Sequence, residues 1–530
     1  MMADRLTSED IQHAEQLIGL TLTASEREMM LNRLEAMRQG YEAMRRVPLP
    51  NDVLPAIRFD PAIVGASEPP IYPPASEVAR PPLPPSANAD DLAFWPVSDL
   101  SRWLRRGAVS SEELTRLYLD RLRRYDPALH CVITLTEERA LAQARRADAE
   151  RRAGVDRGPL HGIPWGAKDL LAVRGYPTTW GATPYREQII HGDATVVERL
   201  DAAGAVLIAK LTLGALAWGD VWFGGRTRTP WDVGVGASGS SAGPGAATAA
   251  GLAGFSIGTE TYGSIVSPST RNGVTGLRPT FGRVSRDGAM ALSWTLDKIG
   301  PMCRSAEDCA LVFAAIHGPD AGDPTTVDMP FPWPPDIDPS SIRLGYLADD
   351  FAGDYREREN DERALQVWRE MGVNLVPIAL PDLPIEPLQL ILFAEAAAAF
   401  DELTRSNRDD LLVRQEEDAW PNFFRLARFI PAVAYIQANR IRTLLMMAMR
   451  ELFSQVDAYV GPSVVGDNLL LTNLTGHPAL VLPTGLGEDG LPTSITLIGR
   501  WYDEAMLLAL GQFFQRETDF HRARPQLPAA

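Results

Sequence analysis

The sequence predicts an α/β protein in which helices cover a central sheet. Two observations support this fold class. Beyond residue 91, helical segments alternate with short apolar segments of strand length. Those apolar segments are partly β-branched, which is typical of buried strands. The length of 530 residues fits one large α/β body with an additional N-terminal region.

Residues 1–67 are predicted to form a helical N-terminal region. Within residues 8–47, Thr23 and Glu26 have the spacing of a capping box, which marks a helix start. Apolar residues then recur on one face of that helix, at Leu31, Leu34 and Met37. This face needs a cover. Either the body of the same chain or a second subunit can supply it, so the region is also a candidate dimerisation element.

Residues 68–90 are predicted to be a proline-rich linker. Four Pro-Pro pairs fall in this stretch, beginning at Pro69, Pro73, Pro81 and Pro84. Proline fixes φ and lacks an N–H, so such a segment favours extended polyproline conformation over a helix or a central strand. It would join the helical region to a body that spans residues 91–530.

The body contains the elements on which the fold class rests. Helices are predicted over 110–125, 138–153 and 245–255, and strands over 205–209, 344–346, 373–378 and 458–460. Residues 385–455 are mainly helical and rich in aromatic residues and Met. They are predicted to form either a cap over a substrate site or a peripheral helical layer.

Charge and cysteine content narrow the function classes. The formal net charge of −17 disfavours binding to nucleic acid or to an anionic membrane surface. Three widely spaced cysteines, Cys131, Cys303 and Cys309, indicate buried thiols rather than disulfides or a zinc site. We find no signal peptide at the N terminus and no apolar run long enough to span a membrane, and therefore expect a cytoplasmic protein.

A Gly- and Ser-rich segment, residues 234–245, is the first candidate for chemistry. It runs into an Ala-rich helix and a second glycine turn, residues 260–264, which argues against a flexible linker. Residues 234–239 match the dinucleotide pattern G-x-G-x-x-G, and residues 239–243 match the nucleophile elbow G-x-S-x-G with Ser241 as nucleophile. Both patterns require a preceding strand, and the polar, Pro-containing segment 226–232 does not predict one.

Lys168 is the second candidate. It lies in the segment Gly162-Ile163-Pro164-Trp165-Gly166-Ala167-Lys168-Asp169. A lone lysine is normally a solvated surface residue. The apolar neighbours on both sides favour burial in this case.

Together these segments resemble the amidase signature family. That family has Gly-Ile-Pro-x-x-x-Lys-Asp, then a Gly/Ser-rich loop, then Gly-Ser-Ile in a glycine turn, then Gly-Leu-x-Pro-Thr-x-Gly-Arg-Val-Ser. The last of these stands here as residues 276–285, and the resemblance covers about residues 90–520. It implies an α/β/α sandwich around a mixed central sheet.

The resemblance also implies the site. Lys168, Ser240 and Ser264 would be the catalytic triad, with Ser264 as nucleophile, Ser240 as proton relay across a cis peptide bond, and Lys168 as base. Thr261, Tyr262, Gly263 and Ser264 would form the oxyanion hole with their N–H groups. The candidate substrate-binding residues are Gly239, Ser241, Trp218 and Tyr262. No metal or organic cofactor is implied.

This sequence departs from the family pattern in the glycine turn. Glu260 stands where the family usually has Asp, Tyr262 where it has Gly, and Val266 where it has Arg. Tyr262 places a large side chain beside the oxyanion loop. Without the arginine, the acidic residue at 260 or a charged substrate loses one possible partner. An aromatic or apolar acyl group is therefore expected.

The expected function is hydrolysis of a small neutral or aromatic carboxylic amide by water through an acyl-Ser264 intermediate, with esters and carbamates as possible side substrates. The expected assembly is a homodimer. Two alternatives stay open. One is the glutamine-hydrolysing subunit of a tRNA-dependent amidotransferase, which shares the signature. The other is a catalytically silent binding scaffold.

Overall fold

The computed structural model describes residues 5–44, 46–55, 57–65, 70, 72–73 and 88–527. It confirms the predicted α/β fold. A mixed sheet of eleven strands forms the centre of the body, and helices cover it. None of the described helices is long and apolar enough to cross a membrane.

The strands of the described residues are numbered in chain order. They are β1 (Val132–Leu135), β2 (Pro164–Lys168), β3 (Val206–Leu211), β4 (Val221–Trp222), β5 (Gly225–Arg226), β6 (Arg228–Thr229), β7 (Asp232–Gly236), β8 (Phe255–Glu260), β9 (Thr275–Arg278), β10 (Lys298–Cys303), β11 (Arg343–Leu347), β12 (Asn374–Ile378), β13 (Ala458–Pro462), β14 (Ala479–Leu486) and β15 (Pro492–Gly499). The main sheet has the order β1-β3-β2-β8-β10-β9-β14-β15-β13-β11-β12. Two small hairpins, β4-β5 and β6-β7, lie outside it.

The α-helices of the same residues are α1 (Ser8–Ile18), α2 (Ala24–Met44), α3 (Ala89–Leu92), α4 (Val97–Arg105), α5 (Ser111–Leu129), α6 (Glu137–Arg152), α7 (Thr195–Ala202), α8 (Ala242–Ala249), α9 (Val266–Asn272), α10 (Ala306–Ile316), α11 (Ala348–Ala352), α12 (Arg358–Glu370), α13 (Leu390–Ala399), α14 (Asp401–Arg405), α15 (Trp420–Leu426), α16 (Ala432–Gln455), α17 (Asn468–Thr475) and α18 (Glu504–Glu517).

The position of the central strands in the sheet explains their residue pattern. Strands β2, β3 and β8 run parallel to one another, and every residue in them is buried. Parallel strands covered on both faces do not alternate between apolar and polar residues. The polar residues that do occur in these strands, including Lys168, Lys210 and Glu260, are therefore carried into the core and need partners there.

Most predicted elements of the body are confirmed within two residues. The helix predicted over 110–125 continues to Leu129. The helix predicted over 245–255 spans Ala242–Ala249, and β8 begins at Phe255. Pro244 is tolerated because the first helical turn has no intrahelical partner for its N–H groups. Gly251, at φ +64°, lies in the turn that follows the helix.

The N-terminal region contains the two predicted helices. Thr23 and Glu26 form the predicted capping box, with Glu26 N–H donating to Thr23 Oγ1 at 3.3 Å. Arg27 of α2 pairs with Glu15 of α1 at 2.6 Å, which holds the two helices together. Met37 stays half exposed on the predicted apolar face, so a homodimer through this face stays a prediction.

The chain after α2 lies against the body. Phe59 and Val64 belong to a small apolar cluster with Phe281, Met446, Trp501 and Tyr502. The guanidinium of Arg442 lies 3.8 Å from the centre of the Phe59 ring. Further along, Tyr72 donates to Asp503 at 3.1 Å and Pro73 O accepts from Asp336 N–H at 2.8 Å. Most of the predicted linker, 68–90, lies outside the described residues, so its boundaries stay a prediction.

Phe59→Ala is expected to release the segment 46–65 from the body. Truncating a buried Phe costs about 3–5 kcal/mol, and Phe59 packs edge-on against Phe281 with ring centres 5.0 Å apart. Limited proteolysis is expected to cleave the variant faster within this segment. Ile63→Ala is the control, because Ile63 is 72% exposed. Equal cleavage of both variants would contradict the docking.

Candidate active site

The site is built where parallel strands end. Lys168 is the last residue of β2, and β8 runs beside it in the same direction. The carboxyl ends of parallel strands meet at one edge of a sheet, where α/β proteins place their ligands. Thr259, near the end of β8, and the turn that follows it are thereby brought to Lys168.

Lys168 is fully buried, and its amine is surrounded by neutral oxygens. Nζ lies 2.8 Å from Ser240 Oγ, 2.9 Å from Thr259 Oγ1 and 3.0 Å from Ser241 Oγ, all within hydrogen-bonding distance. It also lies 3.3 Å from Thr259 O. None of these four partners is a carboxylate. Burial therefore lowers the pKa of Lys168 well below its usual value, although Asp297 and Glu260 nearby oppose the shift.

The Gly/Ser-rich loop is tightly packed. The Gly239–Ser240 peptide bond is cis. A Cβ at Gly239 would lie 1.8 Å from Gly219 O, so only glycine fits there. This glycine serves close backbone packing, and a flexible linker is excluded. The segment before it holds the β6-β7 hairpin, where the sequence predicts no strand, but that hairpin is not part of the main sheet.

Ser241 is engaged with the base. Its hydroxyl accepts from Lys168 and from Thr259 N–H, and donates to Thr259 O at 3.1 Å. These contacts leave it little capacity for a substrate. The nucleophile-elbow alternative needs a His partner, but His477 is buried between Phe453 and Trp501 and hydrogen-bonds Thr475. Ser241 thus supports Lys168.

The turn after β8 holds the remaining predicted residues. Ser264 is 7% exposed, and Gly263 has a φ of +82°. Among the described residues, the N–H groups of Thr261, Tyr262, Gly263 and Ser264 donate to no protein acceptor. They are therefore available to an oxyanion. The structure brings Lys168 and Ser240 into contact, as predicted. No hydrogen bond between described atoms joins the hydroxyls of Ser240 and Ser264, so the predicted contact between these two serines is not seen.

Glu260 holds this turn in place. Its Oε2 accepts from Ile265 N–H at 2.7 Å and from Val266 N–H at 2.9 Å. Its Oε1 accepts from Arg278 at 2.7 Å and from Asn473 at 2.8 Å. Burial alone would raise the pKa of Glu260, but Arg278 and these donors lower it to about 2.

Arg278 is the charged partner of Glu260. The sequence lacks an arginine at position 266, which would be one possible partner, and Arg278 supplies another from β9. Glu260 and Arg278 lie 18 residues apart, and only the sheet brings them together. The sequence offers one signal for this pairing: each of the two residues is the charged residue of an otherwise uncharged strand.

Tyr262 and Trp218, two of the predicted substrate-binding residues, lie in different surroundings. Tyr262 is 38% exposed beside the turn. Trp218 packs in an aromatic group, 4.5 Å from Trp420 and 5.0 Å from Phe423 between ring centres. Trp420 and Phe423 belong to α15, inside the segment 385–455.

A partly open cleft lies beside the turn after β8. Thr259 and Thr261 line one side, and Thr261 Oγ1 donates to Asp297 at 2.6 Å. Burial raises the pKa of Asp297. Much of the lining is apolar, formed by Leu54, Leu170, Ala217, Met290, Leu292 and Ile299. As far as the described residues form it, the lining does not include Ser240 or Ser264.

The segment 385–455 reaches the same cleft indirectly. Glu395 of α13 accepts from Ser293 Oγ at 2.6 Å and from Thr295 N–H at 3.0 Å. Arg442 of α16 donates to Thr295 O at 2.9 Å. Trp294, which stands between Ser293 and Thr295 in the chain, lines the cleft. The helices thus support one wall, and their role as a substrate cap stays a prediction.

Comparison with known proteins extends these observations. A family model described as amidase matches residues 113–468. The glutamyl-tRNA(Gln) amidotransferase A subunit of Roseiflexus sp. (strain RS-1) is 36% identical over 482 residues, covering 82% of this chain and 98% of that protein. Its counterpart in Halorhodospira halophila (strain DSM 244 / SL1), which carries the same name, is 35% identical over 483 residues, covering 81% and 98%.

Solved structures are similar over the same extent. The native peptide amidase from Stenotrophomonas maltophilia has a TM-score of 0.72 and 32% identity, covering 82% of this chain and 98% of that chain. An amidase family protein from Bacillus anthracis str. Ames has a TM-score of 0.75 and 26% identity, covering 83% and 94%.

Glu260→Gln is expected to loosen the turn that carries Ser264. The substitution leaves the buried Arg278 without a counter-charge, and removing one partner of a buried ion pair costs about 3–5 kcal/mol. A displacement of about 1 Å in such a site lowers turnover about 10²-fold. Calorimetry and rate measurements check both effects, with Glu488→Gln as an exposed-acid control. A variant with unchanged melting temperature and rate would show that Glu260 does not hold the turn.

Proposed function

This chain belongs to the amidase family, and on that basis we propose that it hydrolyses a carboxylic amide through an acyl intermediate on Ser264. The observation that carries the proposal is the burial of Lys168 with its amine 2.8 Å from Ser240 Oγ. A buried amine among neutral hydroxyls is held in the uncharged form that a base requires.

The proposed reaction begins with proton transfer. A serine hydroxyl is a weak nucleophile until a base takes its proton. The proton of Ser264 Oγ passes to Ser240 Oγ, while the proton of Ser240 passes to Lys168 Nζ. Ser264 Oγ bonds to the carbonyl carbon, and the carbonyl oxygen becomes an oxyanion. This step requires a small approach of Ser264 to Ser240 upon substrate binding, since apo sites often have open catalytic contacts.

The intermediate then collapses. The free N–H groups of Thr261 to Ser264 stabilise the oxyanion, and one such donor is typically worth about 10²–10³ in rate. The proton on Lys168 returns through Ser240 to the leaving nitrogen, the C–N bond breaks, and ammonia or an amine departs. Water repeats the sequence on the acyl-Ser264 ester, which releases the carboxylic acid and restores Ser264.

Two substrate classes fit this chemistry. The apolar lining of the cleft supports a small neutral or aromatic amide, and the likeness to a peptide amidase agrees with an enzyme that works alone. The second candidate is the glutamine-hydrolysing subunit of a tRNA-dependent amidotransferase. The curated relatives, which carry that name at 33–36% identity, support the second candidate more strongly. Both begin with hydrolysis of a carboxylic amide.

Ser264→Ala is expected to abolish ammonia release from primary carboxamides, because it removes the proposed nucleophile. The purified chain is tested without partners on benzamide and on free glutamine. Ser454→Ala, a surface serine on α16, is the control and is expected to keep the wild-type rate.

The outcome separates the candidates. Turnover of benzamide by the isolated chain indicates a self-sufficient amidase, and turnover of glutamine alone indicates the amidotransferase subunit. Full activity in Ser264→Ala would refute the proposed nucleophile on either substrate.

The rate is expected to depend on pH through Lys168. The neutral amine is the active form, so activity is present above the pKa of Lys168 in the folded chain and falls as pH drops through it. Because burial lowers that pKa well below 10.5, kcat/KM is expected to level off well below pH 10. An unperturbed lysine would give a rise of about tenfold per pH unit up to about 10.

Lys168→Ala is the matched variant for this profile. Its residual rate is expected to be at least about 10²-fold lower, since general-base catalysis is lost, and to increase with hydroxide. A wild-type profile that climbs steadily to pH 10 would contradict a neutral Lys168.

A further inference from the structure

Residues 51–54, between α2 and the docked Phe59, lie at the cleft. Asn51 Nδ2 donates to Ala291 O at 2.9 Å, and Asn51 Oδ1 accepts from Ala291 N–H at 2.7 Å. One side-chain amide thus satisfies both backbone groups of Ala291. Such a two-point contact fixes the register of the segment on the body.

The cleft lies between this segment and the residues that hold Lys168. Asn51, Asp52 and Leu54 line it on one side, and Thr259 and Thr261 line it on the other. Thr259 contacts Lys168 Nζ directly, and Thr261 is the first of the proposed oxyanion donors. A group that extends from the scissile amide into this cleft therefore meets residues 51–54.

The loop 288–297 joins the two sides. Ala291 binds Asn51, and Asp297 binds Thr261 Oγ1 and accepts from Leu292 N–H at 2.8 Å. The segment is held at a second point by Phe59 in its apolar cluster. The contacts at Asn51 and at Phe59 keep residues 51–54 against the loop.

The orientation of neighbouring side chains distinguishes two of these residues. Leu54 lines the cleft and is 38% exposed, whereas the adjacent Val53 is 48% exposed and is not among the lining residues. The cleft also carries charged side chains, among them Asp52, Arg286 and Lys298. An apolar side chain left partly exposed beside its apolar lining residues is suited to contact the apolar part of a ligand.

We propose that Asn51, Asp52 and Leu54 form a wall of the substrate pocket and that Leu54 limits the size of the acyl group accepted. The inference rests on the proposed amide hydrolysis. It adds that the N-terminal region selects the substrate by the size of its acyl group. The family model begins at residue 113. The part of the pocket that selects acyl size therefore comes from sequence outside the region that defines the family.

The test uses the full chain and a series of unbranched primary carboxamides of increasing acyl length. Leu54→Ala is expected to raise kcat/KM for the longest amides relative to the shortest by about tenfold, since a few methylene groups in an apolar pocket are worth that much. Leu54→Trp is expected to shift the ratio in the opposite direction. Val53→Ala is the matched control and is expected to leave the ratio unchanged.

The series separates this inference from the proposed function. Wild-type chain that hydrolyses none of the amides would overturn the proposed function. Wild-type turnover with the same length preference in both Leu54 variants would overturn only the pocket wall. Asn51→Ala adds a second readout. It is expected to raise kcat/KM for the longest amides relative to the shortest, as Leu54→Ala does, because it frees the segment that carries Leu54.

Discussion

The burial of Lys168 is the constraint on which the rest of the site depends. A cation in a fully buried position without a carboxylate partner would be costly, so burial lowers the pKa of Lys168. Its hydrogen-bond partners are neutral oxygens, which Ser240, Ser241 and Thr259 supply. The sheet provides this environment because β2 is covered on both faces and ends at Lys168.

A buried ion pair shapes the turn after β8. Glu260 stays ionised because Arg278 neutralises it and two backbone N–H groups bind it. Two titratable groups at the ends of neighbouring parallel strands thereby have opposite environments: neutral oxygens around Lys168 and an ion pair around Glu260. Under the proposed function, these environments suit the lysine to act as a base and the glutamate to hold the turn.

The loop 288–297 connects the parts of the molecule that meet at the cleft. It binds the turn after β8 through Asp297, the N-terminal segment through Ala291, and the helices α13 and α16 through Thr295. A change in any one of these parts therefore acts on the same wall of the cleft, the loop 288–297. This arrangement explains how a chain with a widely shared catalytic sequence can differ in the substrate that it accepts.

The sequence by itself determined the fold class and the family. Helix and strand periodicity depends on local side-chain pattern, and the ordered motifs around Lys168, Ser240 and Ser264 are each contiguous in the chain. The tertiary structure decided three other points: the pairing of Glu260 with Arg278, the engagement of Ser241 with Lys168, and the contact of Asn51 with Ala291. The last of these joins residues 240 positions apart. Such contacts follow from strand order and packing, which no local pattern encodes.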